Sequence, residues 1–354
     1  MRILVAMSGG VDSSVAAKLL SDTGNECIGC TMKLYTNEDA GISRAHSCCS
    51  LDDVEDARSV AHRLHMPYYV FNFSDDFREK VIGKFIRCYQ QGLTPNPCID
   101  CNRYMKFDRL FERAKILGCD HIATGHYARI VQENGLCILK KALDTSKDQS
   151  YVLYDMTQKQ LAHTLFPLGE LHKAQTRRIA EEAGLLNAEK PDSQDICFVP
   201  NGDYASVIEL HSGKKSEPGN FVDSAGRLLG RHEGIIRYTV GQHRGLGLSL
   251  PEKHYVCAIC PETNTVVLGS MEELCRRDVR VGNLHWISGH SPDVRFRCRA
   301  KLRYRQPEQP VLAELQPDGT LLLRFDAPQR APAPGQAAVL YVGDTVLGGG
   351  TILK

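Results

Sequence analysis

Ile3-Leu4-Val5-Ala6-Met7 runs straight into Ser8-Gly9-Gly10-Val11-Asp12-Ser13-Ser14, and behind that turn Val11, Val15 and Leu19 recur at fourfold spacing. A short apolar strand, a glycine turn and an amphipathic helix commit the chain to a βα unit, with the turn at the carboxyl end of a strand. The pattern repeats. Residues 27–32 read as a second strand, and Leu51, Val54, Ala57, Ala61 and Leu64 share one helical face. Residues 68–73 read as a third strand, followed by a helix presenting Phe77, Val81 and Phe85. After a proline-rich turn, Phe107, Leu110, Phe111 and Ala114 mark a further helix before a short strand at 121–124. Alternation of this kind predicts an α/β fold with a parallel, doubly wound sheet.

The texture then changes. Between about residues 145 and 186 the pattern is helical, with 158–166 and 174–185 as candidate helices, and from 202 onward short strands are punctuated by Gly, Pro and Asn. Pro261-Glu262-Thr263-Asn264 looks like the turn of a hairpin over 255–269, and Ala- and Pro-rich 327–335 reads as a loop. The expected organisation is a Rossmann-like domain with a helical extension over 1–201, a small β-rich domain over 202–275 and a C-terminal β-barrel over 276–354.

Composition bounds the function. With 354 residues and 42% hydrophobic content the chain builds real cores, which excludes a disordered or collagen-like protein. Forty-three basic against 42 acidic residues leave a net charge of +1, so any surface for a polyanion must be local. The 14 cysteines are irregularly spaced, unlike a small disulfide scaffold, and no stretch reads as a signal peptide or membrane span. A cytoplasmic protein with no membrane partner is expected, and a monomer is favoured.

The glycine turn gathers backbone N–H groups and a helix N-terminus around one small volume, an anion cradle. The glycines admit a pyrophosphate closely, the hydroxyls of Ser8, Ser13 and Ser14 can donate, and Asp12 is suited either to hold a magnesium ion or to cap the helix. No Gly-Lys-Ser/Thr ending follows, so this is not a Walker loop. A plain capped turn is the bland alternative.

Three Cys-x-x-Cys pairs occur. Cys27/Cys30 and Cys257/Cys260 lie in strands, where an odd offset sends side chains to opposite faces, so these four are read as packing residues. Cys98/Cys101 follows Thr94-Pro95-Asn96-Pro97 and precedes a helix, where thiol pKa values are expected to fall. Cys197, after the polar run Asp192-Ser193-Gln194-Asp195, reads as either a core thiol or a reactive one. A structural zinc site wants four ligands, and Cys98, Cys101 and Cys197 supply three. Cys48 and Cys49, adjacent in a polar loop, receive no role.

The Ser8-to-Ser13 loop, Thr94-Pro95-Asn96-Pro97-Cys98 with Cys101-Asn102, and Ala123-Thr124-Gly125-His126-Tyr127 form a recognisable set. With them go Lys147-Asp148-Gln149-Ser150-Tyr151, Ile196-Cys197-Phe198 and Tyr238-Thr239-Val240-Gly241-Gln242-His243-Arg244-Gly245-Leu246-Gly247. In this order they resemble the bacterial tRNA-specific 2-thiouridylase family, PP-loop enzymes that split ATP between its α and β phosphates, across essentially the whole chain. The resemblance implies ATP-dependent replacement of the C2 oxygen of a wobble uridine in tRNA by sulfur. It implies ATP, with Mg2+, at Ala6, Met7, Ser8, Gly9, Gly10, Val11, Asp12, Ser13, Met32 and Gly125. It makes Cys101 the nucleophile and Cys197 the persulfide carrier, the two forming an alternate disulfide, with a separate persulfide-donor protein supplying sulfur. Asn96, Pro97 and Cys98 would face the target base, and Lys147, Asp148, Gln149, Tyr304 and Arg305 would touch tRNA. A large branch of the family has Asp where this chain has Cys98, so Cys98, Cys101 and Cys197 as ligands of a 4Fe-4S cluster stand as the alternative to a persulfide.

Residues 294–305 alternate strictly, with Arg295, Arg297, Arg299, Lys301, Arg303 and Arg305 on one face, which reads as a positive stripe for RNA. Two rivals remain on the sequence: another PP-loop adenylating ligase or amidotransferase, which would not need Cys101 and Cys197, and a non-catalytic metal-cysteine RNA-binding module.

Overall fold

The computed structural model describes residues 1–36, 38–41, 51–191, 196–199 and 202–354; Cys48 and Cys49 lie outside them. Five parallel strands form the first sheet: β1 (Arg2–Ala6), β2 (Glu26–Lys33), β3 (Tyr68–Asn72), β4 (His121–Ala123) and β7 (Thr164–Leu165), in the order β3-β2-β1-β4-β7. The continuous apolar run of β1 is buried, as a central parallel strand covered on both faces requires. Helix α1 (Val11–Asp22) lays Val11, Val15 and Ala16 on one face, packed with Ala57, Val60 and Ala61 of α2 (Leu51–Arg63). Cys27 belongs to that cluster, whereas Cys30 belongs to another with Leu110, Ala114 and Cys119. The two thiols therefore sit on opposite faces of β2, as its period of two dictates.

Residues 74–90 form a near-continuous helical run (Ser74–Phe77, Arg78–Ile82, Gly83–Gln90) that buries Phe77, Val81 and Phe85. The expected helix over 158–166 stops early, as Gln158–Ala162, because the backbone N–H of Ile122 binds the His163 carbonyl and draws 164–165 onto the sheet as β7. A hairpin of β5 (Ala128–Glu133) and β6 (Leu136–Lys141) was not foreseen; Asn134-Gly135, both at positive φ, make its two-residue turn.

The small β-rich domain pairs β8 (Gly219–Val222), β9 (Leu228–His232), β10 (Tyr255–Cys260) and β11 (Thr265–Gly269) in the order β10-β11-β8-β9. The expected turn at 261–264 joins β10 to β11, with Asn264 in the left-handed region. A bulge falls between Val256 and Ala258, at Cys257.

The remaining strands, β12 (Cys275–Trp286), β13 (Arg295–Lys301), β14 (Gln309–Leu315), β15 (Leu321–Arg330), β16 (Ala337–Val342) and β17 (Thr345–Ile352), close into a barrel through the β12–β17 pairing. β15 takes in half of the stretch expected as a loop. β17 also pairs with β6, so the hairpin of the first domain extends the barrel sheet. No described helix is long and apolar enough to cross a membrane.

Candidate active site

β1 is central, with β2 on one side and β4 on the other, so chain direction around the sheet reverses between β1 and β4 and opens a crevice past their carboxyl ends. The glycine turn fills one lip. Gly9 has φ +77°, and a Cβ there would lie 2.4 Å from the Asp53 carbonyl oxygen. Gly125, just past β4, forms the other lip, where a Cβ would lie 2.7 Å from Ser13 N and 2.8 Å from Asp12 C. Only glycine permits both approaches. Ser13 Oγ and Ser14 Oγ each donate to the Gly10 carbonyl at 3.0 Å, and Ser8 N donates to Ser13 Oγ at 3.1 Å, which holds the turn in shape.

Asp12 takes neither use expected of it. Gly10 caps α1 without a side-chain bond, while Lys173 Nζ donates to Asp12 Oδ1 and Oδ2 at 2.7 and 2.8 Å and the Tyr127 hydroxyl donates to Oδ1 at 2.9 Å. A carboxylate occupied in this way does not fit a protein-held magnesium ion. Asn187 Nδ2 donates to the Gly9 carbonyl and Ser14 Oγ at 2.9 and 2.8 Å, and Lys190 bridges Asp53 and Asp56 beside the turn. Lys173, Asn187 and Lys190 carry no motif, being single residues recruited from about 160 to 180 positions away, and the sequence reading missed them.

Asn96 caps the short helix Pro97–Asp100, its Oδ1 accepting from Cys98 N at 3.1 Å, and Pro97 sits at the first helical position. From Cys101 to Arg109 the helix widens to i→i+5 hydrogen bonding, a form enriched at functional sites. Cys98 and Cys101 face different surroundings. Cys98 is coupled to Lys106 and Tyr304, while Cys101 packs on the aromatic cluster of Phe77, Phe85 and Phe198. Cys98 is exposed, yet protein atoms crowded around it desolvate the thiol and hold it above its ordinary value, which Lys106 only partly offsets; desolvation outweighs the helix terminus expected to lower it.

Phe198 and Val199 belong to the cluster against which Cys101 and Met32 pack, and the Tyr35 hydroxyl binds the Cys197 carbonyl. The fold thus carries the Cys197 segment to the wall that bears Cys101, and Cys197 itself is exposed. Among the described residues no group of three His, Cys, Asp or Glu side chains is placed to hold a metal ion. Cys101 packs on the apolar wall, and Cys98 lies within reach of the Lys106 and Tyr304 charges.

The anticipated RNA contacts separate into two sets. Burial first, and then the nearby Asp148 and Cys98, raise the Tyr304 hydroxyl, and the Lys301 ammonium lies 5.5 Å from its ring, so Cys98, Asp148 and Tyr304 are neighbours. The barrel loop holds that face in place: Thr94 N donates to the Pro334 carbonyl and Gln336 Nε2 to the Thr94 carbonyl. Asp148 accepts from Ala142 N and Ser150 N, and Gln149 Oε1 accepts from Tyr127 N. The positive stripe does not exist as read. β13 ends at Lys301, and its arginines pair with acids of neighbouring strands: Arg295 with Glu314, Arg297 with Asp326 and Arg299 with Glu308. Arg303 turns inward to the Val240 carbonyl. Strict alternation showed the charges on one face but not the acids that cross to meet them.

Residues 1–201 match a family model described as a tRNA methyl transferase HUP domain, 206–270 one described as a tRNA methyl transferase PRC-barrel domain, and 276–352 one described as an aminomethyltransferase beta-barrel domain. The tRNA-specific 2-thiouridylase MnmA of Lachnoclostridium phytofermentans is 48% identical over 355 residues, covering 100% of this chain and 99% of the relative. Its namesakes in Clostridioides difficile and Acetivibrio thermocellus are 46% and 47% identical, covering 100% and 99% of this chain and 98% and 99% of their own. With relatives this similar from end to end, the chain belongs to the tRNA-specific 2-thiouridylase family.

Proposed function

We propose that the protein uses ATP to replace the C2 oxygen of a tRNA wobble uridine with sulfur. The uracil O2 attacks the α-phosphorus of ATP, forming the O2–P bond and expelling pyrophosphate, which turns a poor leaving group into AMP. The terminal sulfur of a persulfide on Cys197 attacks C2, and AMP departs with the former O2. Cys101 then attacks Cys197 Sγ, breaking the sulfur–sulfur bond, leaving sulfur on the base and a Cys101–Cys197 disulfide that an external thiol reduces.

The observation that carries this reading is the shared wall: Cys101 and the Cys197 segment meet one cluster, and Met32, at the end of β2, packs on it too. ATP is assigned to the lips formed by 6–13 and Gly125, and its magnesium ion would arrive on the phosphates, since Asp12 is engaged by Lys173. Exposed Cys197 suits charging by a persulfide-donor protein. Asn96, Pro97, Cys98 and Tyr304 are assigned to the target base and its neighbours, and Lys147, Asp148, Gln149 and Arg305 to flanking tRNA; a cytoplasmic setting fits a tRNA substrate and reduced thiols. Single-stranded loop bases can be splayed into such a face.

The test is incubation of unmodified tRNA with ATP and a persulfide donor, followed by mass spectrometry of the nucleosides. The parent should form 2-thiouridine and AMP, and Cys101→Ala and Cys197→Ala should form no 2-thiouridine. Normal thiolation by either variant would favour another adenylating ligase, and absence of AMP a non-catalytic RNA-binding protein.

A further inference from the structure

Lys106 stands one wide helical turn beyond Cys101 on Cys101–Arg109. Its ammonium lies 3.3 Å from His126 Nε2, and His126 Nδ1 lies 2.7 Å from Thr124 Oγ1. Burial first, and the adjacent ammonium second, hold His126 well below its ordinary pKa, so the ring is neutral. A neutral ring accepting at Nε2 carries its proton on Nδ1 and donates it to Thr124 Oγ1, which fixes the imidazole on both sides.

Thr124 and His126 flank Gly125, one lip of the crevice. Lys106 therefore ties the cysteine-bearing helix to the edge assigned to ATP. Among the described residues it has no carboxylate partner. A half-buried ammonium held against a neutral ring is a charge without a counter-charge, and such a site favours an arriving anion. Through His126 it stands next in the chain to the Gly125 lip, and its charge also acts on Cys98.

We infer that Lys106 is the cation that stabilises charge on the α-phosphate, both when uracil O2 attacks it and when AMP leaves C2. The inference rests on the proposed thiolation and adds a residue to it. Lys106 transfers no proton in this scheme; it stays an ammonium and balances charge developing on phosphate oxygens, and His126 acts as the positioning residue that aims it.

Single-turnover AMP formation should be measured with the full-length protein, unmodified tRNA and ATP, alongside separate Kd values for ATP and tRNA. In Lys106→Met the rate should fall about 100-fold while both Kd values stay within about threefold of the parent. Lys106→Arg should keep about a tenth or more of the rate. Should Lys106→Met fail to fold, Lys106→Gln, which keeps a donor for His126 without the charge, replaces it with the same expected fall. A neutral variant turning over within about threefold of the parent, or a loss lying wholly in either Kd, would overturn the assignment. A parent that forms no AMP with tRNA would instead remove the thiolation reading and this inference with it.

Discussion

Lys173 donates to both carboxylate oxygens of Asp12, at 2.7 and 2.8 Å, from a helix 161 residues further along the chain. The pair pins the first turn of α1 to Lys173–Glu182, and the Lys173 side chain is only 11% exposed. Lys173→Met should therefore lower stability by about 1–3 kcal/mol in urea unfolding. Adding Asp12→Asn should cost less than the sum of the two single changes by at least about 0.5 kcal/mol, and strict additivity would show the pair to be uncoupled.

Gly125→Ala should push the two lips apart, lower stability, and weaken ATP binding by about tenfold or more, because the atoms a methyl group would meet are Ser13 and Asp12 backbone, which cannot rotate away. Titration with a fluorescent ATP analogue checks it. Equal affinity would place ATP away from this lip.

Cys98→Ser should reduce thiolation by less than about tenfold, since desolvation raises the Cys98 thiol and makes it a poor thiolate, whereas Cys101 and Cys197 are indispensable on the proposed mechanism. Iron analysis of anaerobically purified protein accompanies the assay. Bound iron together with an inactive Cys98→Ser would favour the 4Fe-4S cluster over the persulfide.

Tyr304→Ala should raise the tRNA Kd by about tenfold, the loss of one base-stacking ring, while Arg297→Glu should change it by less than about twofold because Arg297 already answers Asp326. Filter binding across a salt series separates them. The reverse ranking would return the RNA surface to β13.

Asp155 is buried, and that burial, with Asp100 nearby and Arg103 opposing, pushes its carboxyl up to about 7. Its ordinary value is about 4, so between about pH 4 and pH 7 the folded state binds more protons than the unfolded one, and stability falls as pH rises through that window. Asp155→Asn should therefore gain on the parent by roughly 1–3 kcal/mol between pH 5 and pH 8. Denaturation curves at the two pH values check the sign; a constant difference would mean Asp155 does not titrate there.

The α/β sheet was legible because β1, α1 and β2 wear their periodicity openly, and the opposite faces of Cys27 and Cys30 follow from an odd offset alone. The hairpin β5–β6 was legible too, through Asn134-Gly135, but went unread between stronger helical patterns. Lys106, Lys173, Asn187 and Lys190 were not legible, for each acts on residues distant in the chain and leaves no local pattern. Arg295, Arg297 and Arg299 misled for the same reason: their acids lie on other strands, and one strand's alternation says nothing about its neighbours.

The pairing of β6 with β17 has a consequence for synthesis. Lys141 bonds to Gly343, 202 residues later, so the hairpin leaves the ribosome long before its partner strand exists. An open strand edge recruits whatever backbone is near, and the nascent N-terminal part must keep that edge from other chains until the last strand arrives. Truncation after the second domain would make that exposure permanent, so a shortened chain should precipitate rather than persist as a minimal catalytic unit.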